Sequence, residues 1–313
     1  VQRNRPEDSS SPAQLGDVRK RIGSLVVGRE RELELALATV AAGRDLVLEG
    51  PPGTSKTTML KAITAEWGIP LVLVEGNGDL TPARLLGHHN PSRVLREDYS
   101  ADNFVPGPLV EAMEHGGFLY VEEFNRAPAD TLNTLLTAMA DRSVEIPRVG
   151  TIRAKSTFRV IASMNPFDNV GTTRLSTSVS DRLNRIVVDY QDAASEEAIV
   201  KLRAGLTGPM ADKVAADAVA LTRATRTHED LRQGSSVRGA IDCASVMIQL
   251  GRLREVTSVE DTAYPQVVLD AMTVALSGRI QVDESVEATP DEVLQEIWED
   301  HFVLNPAAAD GPT

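Results

Sequence analysis

Intrachain disulfides, a cysteine-based metal cluster and a membrane-spanning helix are all excluded by what this 313-residue sequence lacks. Its one cysteine, Cys243, has no partner within the chain and cannot supply a zinc cluster. No apolar run approaches the ~18–20 residues that a bilayer-crossing helix needs. Positive charge is short as well: the net charge is -13, which argues against nonspecific nucleic-acid binding as the main task. Lysine is scarcer still, with 6 Lys against 26 Arg, so each lysine is worth inspecting. The first 14 residues carry Arg, Pro and Ser but no apolar core, so no secretory signal is expected. A reducing, cytoplasmic setting is the expectation. A content of 42% hydrophobic and 25% charged residues excludes a disordered polymer, a collagen or a coiled-coil rod.

The length favours about two domains of roughly 100–200 residues each. The expected organisation is a flexible tail over 1–14, an α/β domain over 15–191, a small all-α domain over 192–303 and a second tail over 304–313. A short helix is expected over about 15–25. The next helix carries Leu33, Leu35, Ala36, Leu37 and Val40 and stops near Gly43. Short, nearly all-apolar runs follow at Leu46–Leu48, Leu71–Val74, Phe118–Val121, Arg159–Ala162 and Ile186–Val188. Such runs suit strands of a parallel sheet buried on both faces. Between them, Met59, Leu60, Ile63 and Trp67 form one helical stripe, and Leu132, Leu135, Leu136 and Met139 another. A three-layer doubly wound domain results. After Gln191, helices are expected over 195–206, 211–227, 236–251, 258–277 and 290–303. The last opens with Thr289-Pro290-Asp291-Glu292, an N-cap, a Pro at the first helical position and a capping-box Glu.

Three motifs carry chemistry. Gly50-Pro51-Pro52-Gly53-Thr54-Ser55-Lys56-Thr57 lies between a strand and a helix, the context of a phosphate-binding loop. Helix-start N–H groups face the phosphates, Lys56 reaches the β/γ oxygens and the Thr57 hydroxyl can ligate Mg²⁺. Ser55 stands where such loops carry a glycine, and its Cβ crowds the backbone near the phosphate. The second motif, Phe118-Leu-Tyr-Val-Glu122-Glu123, ends an apolar strand in two carboxylates. Glu122 can hold Mg²⁺ through water and Glu123 can polarise the attacking water. Neighbouring strand side chains point opposite ways, so the two carboxylates take different roles. The third, Arg159 to Pro166, ends a buried strand in Asn165, whose amide can orient water beside the γ-phosphate.

These motifs, in this order, resemble the AAA+ ATPases of the MoxR branch. The resemblance rests on Val27-Gly28-Arg29-Glu30, GPPGTSKT at 50–57, FVPGPLVEAM at 104–113, LYVEEFNRAP at 119–128, ASMNPFDNVGT at 162–172, SDRL at 180–183 and SVR at 236–238. It covers about 25–250, and its wording is most similar to the CoxD type that accompanies metalloenzyme maturation. The resemblance implies an ATP- and Mg²⁺-dependent ATPase with an α/β P-loop domain and a helical lid. It implies Val27 and Gly28 near the adenine, Thr58 with the loop around the nucleotide, and Asn165 as sensor 1. Arg182 would be an arginine finger acting on a neighbouring subunit, and Arg238 would be sensor 2. Arg126 and Arg174 are lesser candidates for interface work. It further implies a ring, usually hexameric, a client protein and, in many relatives, a von Willebrand A-type partner.

Inserts at 79–108 and 144–153 mark this branch, the second read as a hairpin whose runs flank Gly150. Adjacent His88 and His89 do not suit a shared metal ion. Cys243 is read as core, and the acidic segment 280–303 as a solvated helix face. An assembly scaffold with little turnover and a DNA-translocating motor are the alternative functions.

Overall fold

The computed structural model describes residues 12–23, 25–97, 100–166 and 176–304. The chain divides into two compact units, Val1–Asp189 and Tyr190–Thr313.

The first unit opens with α1 (Pro12–Gly23) and α2 (Glu30–Ala41), followed by β1 (Leu46–Glu49), α3 (Lys56–Trp67) and β2 (Leu71–Glu75). The insert then supplies α4 (Pro82–Leu86), β3 (Gly87–His89), α5 (Pro91–Glu97) and β4 (Phe104–Pro106). Next come α6 (Pro108–His115), β5 (Phe118–Glu122), α7 (Ala129–Asp141), β6 (Ser143–Ile146) and β7 (Gly150–Arg153). The unit closes with β8 (Arg159–Met164), α8 (Thr177–Ser180) and β9 (Asn184–Val187). Five strands form one parallel sheet in the order β2-β5-β8-β1-β9.

Strand alternation sorts the core into two layers. Leu46, Leu48, Phe118, Tyr120 and Ile161 point to the side of α1, α2 and α3, among Val18, Leu33, Leu37, Met59, Leu60, Ile63 and Trp67. Val47, Leu119, Val121, Val160 and Ala162 point to the opposite side, where Leu109, Val110, Met113, Leu132 and Leu135 pack. Runs with no polar position are what such a sandwich requires, because both faces are covered by helices. The three-layer α/β expectation is thus borne out. Helix α3 stops where Gly68 takes a left-handed conformation, its N–H donating to the Ala65 carbonyl and that of Ile69 to the Thr64 carbonyl.

Details differ from the sequence reading. Helix α1 begins at Pro12, inside the segment read as tail, because proline is preorganised for a first helical position. Residues 1–11 and 305–313 of the two expected tails lie outside the described residues. Leu35 is exposed rather than part of the α2 stripe formed by Leu33, Ala36, Leu37 and Val40. The 79–108 insert is more than a loop: β3 and β4 pair antiparallel, and His89 packs edge-on against Phe104. The second hairpin exists, but Gly150 opens β7, and the reversal runs through Pro147-Arg148-Val149 with Arg148 at positive φ.

The second unit contains α9 (Ala193–Arg203), α10 (Ala211–Ala224), β10 (Leu231–Gln233), α11 (Val237–Leu253), α12 (Tyr264–Leu276), β11 (Gln281–Val282) and α13 (Pro290–Glu299). A π-helical turn over Asp300–Leu304 follows. The all-α expectation needs correction: β10 and β11 pair as a short antiparallel ribbon. Three and two residues are too few to leave a periodic signal, so only the long-range pairing reveals them. The same ribbon removes the start of the acidic segment from the helix-face reading. Cys243 is fully buried in the core with Met247, Tyr264 and Met272. Burial pushes its thiol up to about 12. The Thr289–Glu292 capping box forms as expected.

Candidate functional site

Adjacent strands β1, β8 and β5 place the three motifs side by side at the carboxyl edge of the sheet. This is where ligands bind in open parallel α/β sheets.

The loop after β1 is fixed by close backbone packing. A Cβ on Gly50 would collide with the Val188 carbonyl oxygen, so only glycine fits there. Gly50 N–H donates to the Met164 carbonyl, tying the loop to the end of β8. Gly53 has φ 78° and Ser55 has φ 66°, ψ 16°, both left-handed. The Ser55 departure is therefore carried by the backbone: a residue with a Cβ holds a conformation that glycine adopts without steric cost. Lys56 Nζ donates to Gly50 O at 2.9 Å, Pro51 O at 2.7 Å and Thr54 Oγ1 at 3.2 Å. The ammonium thus sits over the loop's own carbonyls. Thr54 is buried and donates to Pro51 O, while Pro52 is exposed and Thr58 half-buried in the first turn of α3.

Glu122 and Glu123 part company at the end of β5. Glu122 accepts a 2.5 Å hydrogen bond from the Thr57 hydroxyl. Glu123 leaves the strand with a left-handed φ of 49°, is exposed, and pairs with Arg126 at 2.9 Å. The expectation of separate roles has this physical basis, although a backbone turn adds to the strand alternation. Gly76, just after β2, lies so close that a Cβ would collide with the Glu123 carbonyl oxygen. Asn165 follows β8, half-buried, and its carbonyl accepts from the Asn125 side chain at 3.3 Å.

Sequence reasoning missed the groups beneath these residues. Tyr120, read only as part of an apolar strand, is buried with its hydroxyl donating to Ser163 Oγ at 3.0 Å. The same hydroxyl lies 3.3 Å from Thr57 Oγ1. Burial lifts the Tyr120 phenol above its ordinary value, and the nearby Glu122 carboxylate adds to the rise. At the end of β1, Glu49 accepts two bonds from Arg185 of β9.

The remaining expected residues are placed as follows. Val27 and half-buried Gly28, the latter at φ 65°, form the turn before α2. Next to them buried Arg29 bonds Glu32 and the Asp189 carbonyl. Arg182 is exposed and donates to the Ser178 carbonyl at 3.0 Å. Arg238 is exposed in the first turn of α11, in the second unit. Arg174 and the 167–172 part of the ASMNPFDNVGT segment lie outside the described residues.

The donor chemistry suits a hard cation held jointly with a phosphate. Thr57 and Glu122 offer a hydroxyl and a carboxylate, oxygen ligands of the kind Mg²⁺ takes. Among the described residues no group of three or more His, Cys, Asp or Glu could hold an ion alone. Mg²⁺ characteristically completes its shell with water and substrate phosphates.

Comparisons with known proteins agree with this arrangement. A model described as an AAA domain of the dynein-related subfamily matches residues 45–183, which hold all three motifs. Gas vesicle ATPase GvpN of Ancylobacter aquaticus is 29% identical over 293 residues, covering 88% of this chain and 78% of that protein. Chaperone MoxR1 of Mycobacterium tuberculosis is 30% identical over 191 residues, covering 61% of this chain and 48% of that protein. The crystal structure of an ATPase candidate from Cytophaga hutchinsonii superposes with a TM-score of 0.50 at 21% identity, covering 92% and 94% of the two chains. That likeness concerns the fold alone. With the motifs on adjacent strands of the expected sheet, residues 45–183 match the AAA domain of the dynein-related subfamily, and the chain is similar to the AAA+ ATPases of the MoxR type.

Proposed function

We propose that this chain hydrolyses ATP to ADP and phosphate with Mg²⁺ and uses the cycle to remodel a client protein. The observation that carries the reading is the Thr57–Glu122 hydrogen bond, which brings the loop of Lys56 after β1 to the paired carboxylates Glu122 and Glu123 at the end of β5, across the carboxyl edge of β8. Loop residues 50–58 wrap the phosphates, Lys56 exchanges its contacts with the loop carbonyls for phosphate oxygens, and Val27-Gly28 flanks the base. Thr57 and Glu122 hold Mg²⁺, which supplies charge neutralisation when bound. Glu123 takes a proton from the attacking water, Asn165 orients that water, and Arg182 of a neighbouring subunit meets charge on the transferred group. Arg238 reads the phosphate state from the second unit.

The working form in this reading is a homo-oligomeric ring, hexameric on the family resemblance, in the cytoplasm. The client follows from the names of relatives and from sequence wording. Chaperone MoxR1 and the gas vesicle ATPases support assembly or remodelling of protein. The CoxD-like wording supports a metalloenzyme as the client, with a von Willebrand A-type protein as adaptor.

Glu123→Gln is the test, because it keeps shape and removes the base. ATP binding should survive while turnover falls at least ~100-fold. Near-normal turnover would remove Glu123 from the role. An intact wild type that binds ATP and assembles but does not turn over would favour the scaffold reading.

A further inference from the structure

The hydroxyls of Thr57, Tyr120 and Ser163 form a chain that begins at the Glu122 carboxylate and runs under the phosphate loop. Thr57 lies in the first turn of α3, Tyr120 and Glu122 share a face of β5 two residues apart, and Ser163 lies on β8 opposite Leu48 of β1. Tyr120 and Ser163 are both buried, so water does not compete for these bonds.

Counting protons shows why the chain has a direction. Each hydroxyl carries one proton and two lone pairs. Thr57 gives its proton to Glu122. Tyr120 has Ser163 Oγ at 3.0 Å, Thr57 Oγ1 at 3.3 Å and the Glu122 carboxylate within hydrogen-bonding reach, and it donates to Ser163. Were it to turn toward Thr57 and Glu122, it would compete with a cation for the lone pairs of the two oxygen groups that must face it. We propose that Tyr120 and Ser163 are positioning residues for the cation site: Ser163 draws the Tyr120 proton away and leaves the Thr57 and Glu122 oxygens open to a divalent ion. This rests on the reading of Thr57 and Glu122 as the cation site. It goes beyond that reading by assigning work to two buried residues that touch neither nucleotide nor ion.

The prediction has a sign that simple loss of packing does not share. Removing the Ser163 acceptor turns the buried phenol onto Thr57 and Glu122 and weakens the cation. Removing the phenol as well lifts the competition and restores it. The experiment is Mn²⁺ binding to the full chain with saturating ADP, followed by electron paramagnetic resonance. ADP affinity in EDTA is measured alongside with a fluorescent analogue. Ser163→Ala should bind Mn²⁺ about five- to tenfold more weakly, the size of one hydrogen bond. Tyr120→Phe and the Ser163→Ala/Tyr120→Phe double variant should lie within about twofold of wild type. Metal-free ADP affinity should be unchanged in all three.

Wild-type Mn²⁺ affinity in Ser163→Ala, or a double variant as weak as Ser163→Ala, overturns the inference. If Ser163→Ala does not fold, Ser163→Cys, with a weak sulfur acceptor, must show the weakening; wild-type affinity there has the same overturning force. A Mn²⁺ site that survives Thr57→Ala in the otherwise wild-type chain instead defeats the underlying assignment of the cation site, which separates the two failures.

Discussion

Replacing Ser55 by glycine should stabilise the first unit while leaving nucleotide affinity nearly unchanged. Ser55 holds φ 66°, ψ 16°, at the point where the loop turns into α3. A residue with a Cβ loses about 1–2 kcal/mol in the left-handed region. Glycine removes that strain but widens the unfolded ensemble, costing about 0.4–1 kcal/mol. The difference leaves Ser55→Gly more stable by roughly 0.5–1 kcal/mol. Ser55→Ala keeps both the Cβ and the strained φ, so it should gain nothing. Because the chain has two units, the probe must report on the first. Trp67, buried in the same helix that Ser55 precedes, becomes the sole tryptophan once Trp298 is replaced by Phe. In that background its fluorescence in urea gives the midpoint for the chain that keeps Ser55, for Ser55→Ala and for Ser55→Gly. A glycine variant no more stable than the alanine variant refutes the strain argument. ADP affinity decides between strain and crowding. If the Ser55 Cβ chiefly obstructs phosphate, Ser55→Gly should bind ADP about tenfold tighter with stability unchanged; strain predicts a change of less than about threefold.

Lys56→Ala should weaken ATP binding about 10- to 100-fold, since a charge-assisted bond is lost; unchanged affinity in the folded variant refutes the loop assignment. Arg182→Ala should bind ATP but hydrolyse it poorly. Mixing it with Glu123→Gln should restore activity where subunit exchange is shown by fluorescence transfer, and full activity of strictly monomeric wild type would rule out a finger acting in trans. Asp45 gives a pH test. It is buried beside β8, accepts from Val160 N–H at 2.7 Å, and burial holds its carboxyl above the ordinary value despite nearby Arg142. A raised native value means stability from this group is full below the unfolded pKa and is lost as pH rises through the native one. Asp45→Asn keeps the acceptor and cannot ionise, so its urea midpoint relative to wild type should rise with pH across the acid range. A pH-independent difference would contradict this.

Sequence by itself determined the elements whose signal is local. Nearly all-apolar runs of three or four residues can be stable only when covered on both faces, so the parallel sheet and its helical layers were legible from Leu46–Leu48, Phe118–Val121 and Arg159–Ala162. The phosphate loop was legible because glycine, lysine and threonine have fixed jobs at fixed spacing, and the capping box at Thr289 because it closes within four residues. Tertiary structure decided whatever depends on which distant residue comes near. Strand order placed β8 between β1 and β5, which brought Ser163 under Tyr120 and Tyr120 beside Thr57. A tyrosine in an apolar run carries no mark of its hydroxyl's partner. The β10–β11 ribbon and the Glu49–Arg185 pair were hidden for the same reason. Glu123 turned away from Glu122 through a left-handed backbone that no residue type there announces. Local pattern fixes where the chain can bury itself; only packing fixes which polar atoms must then share protons.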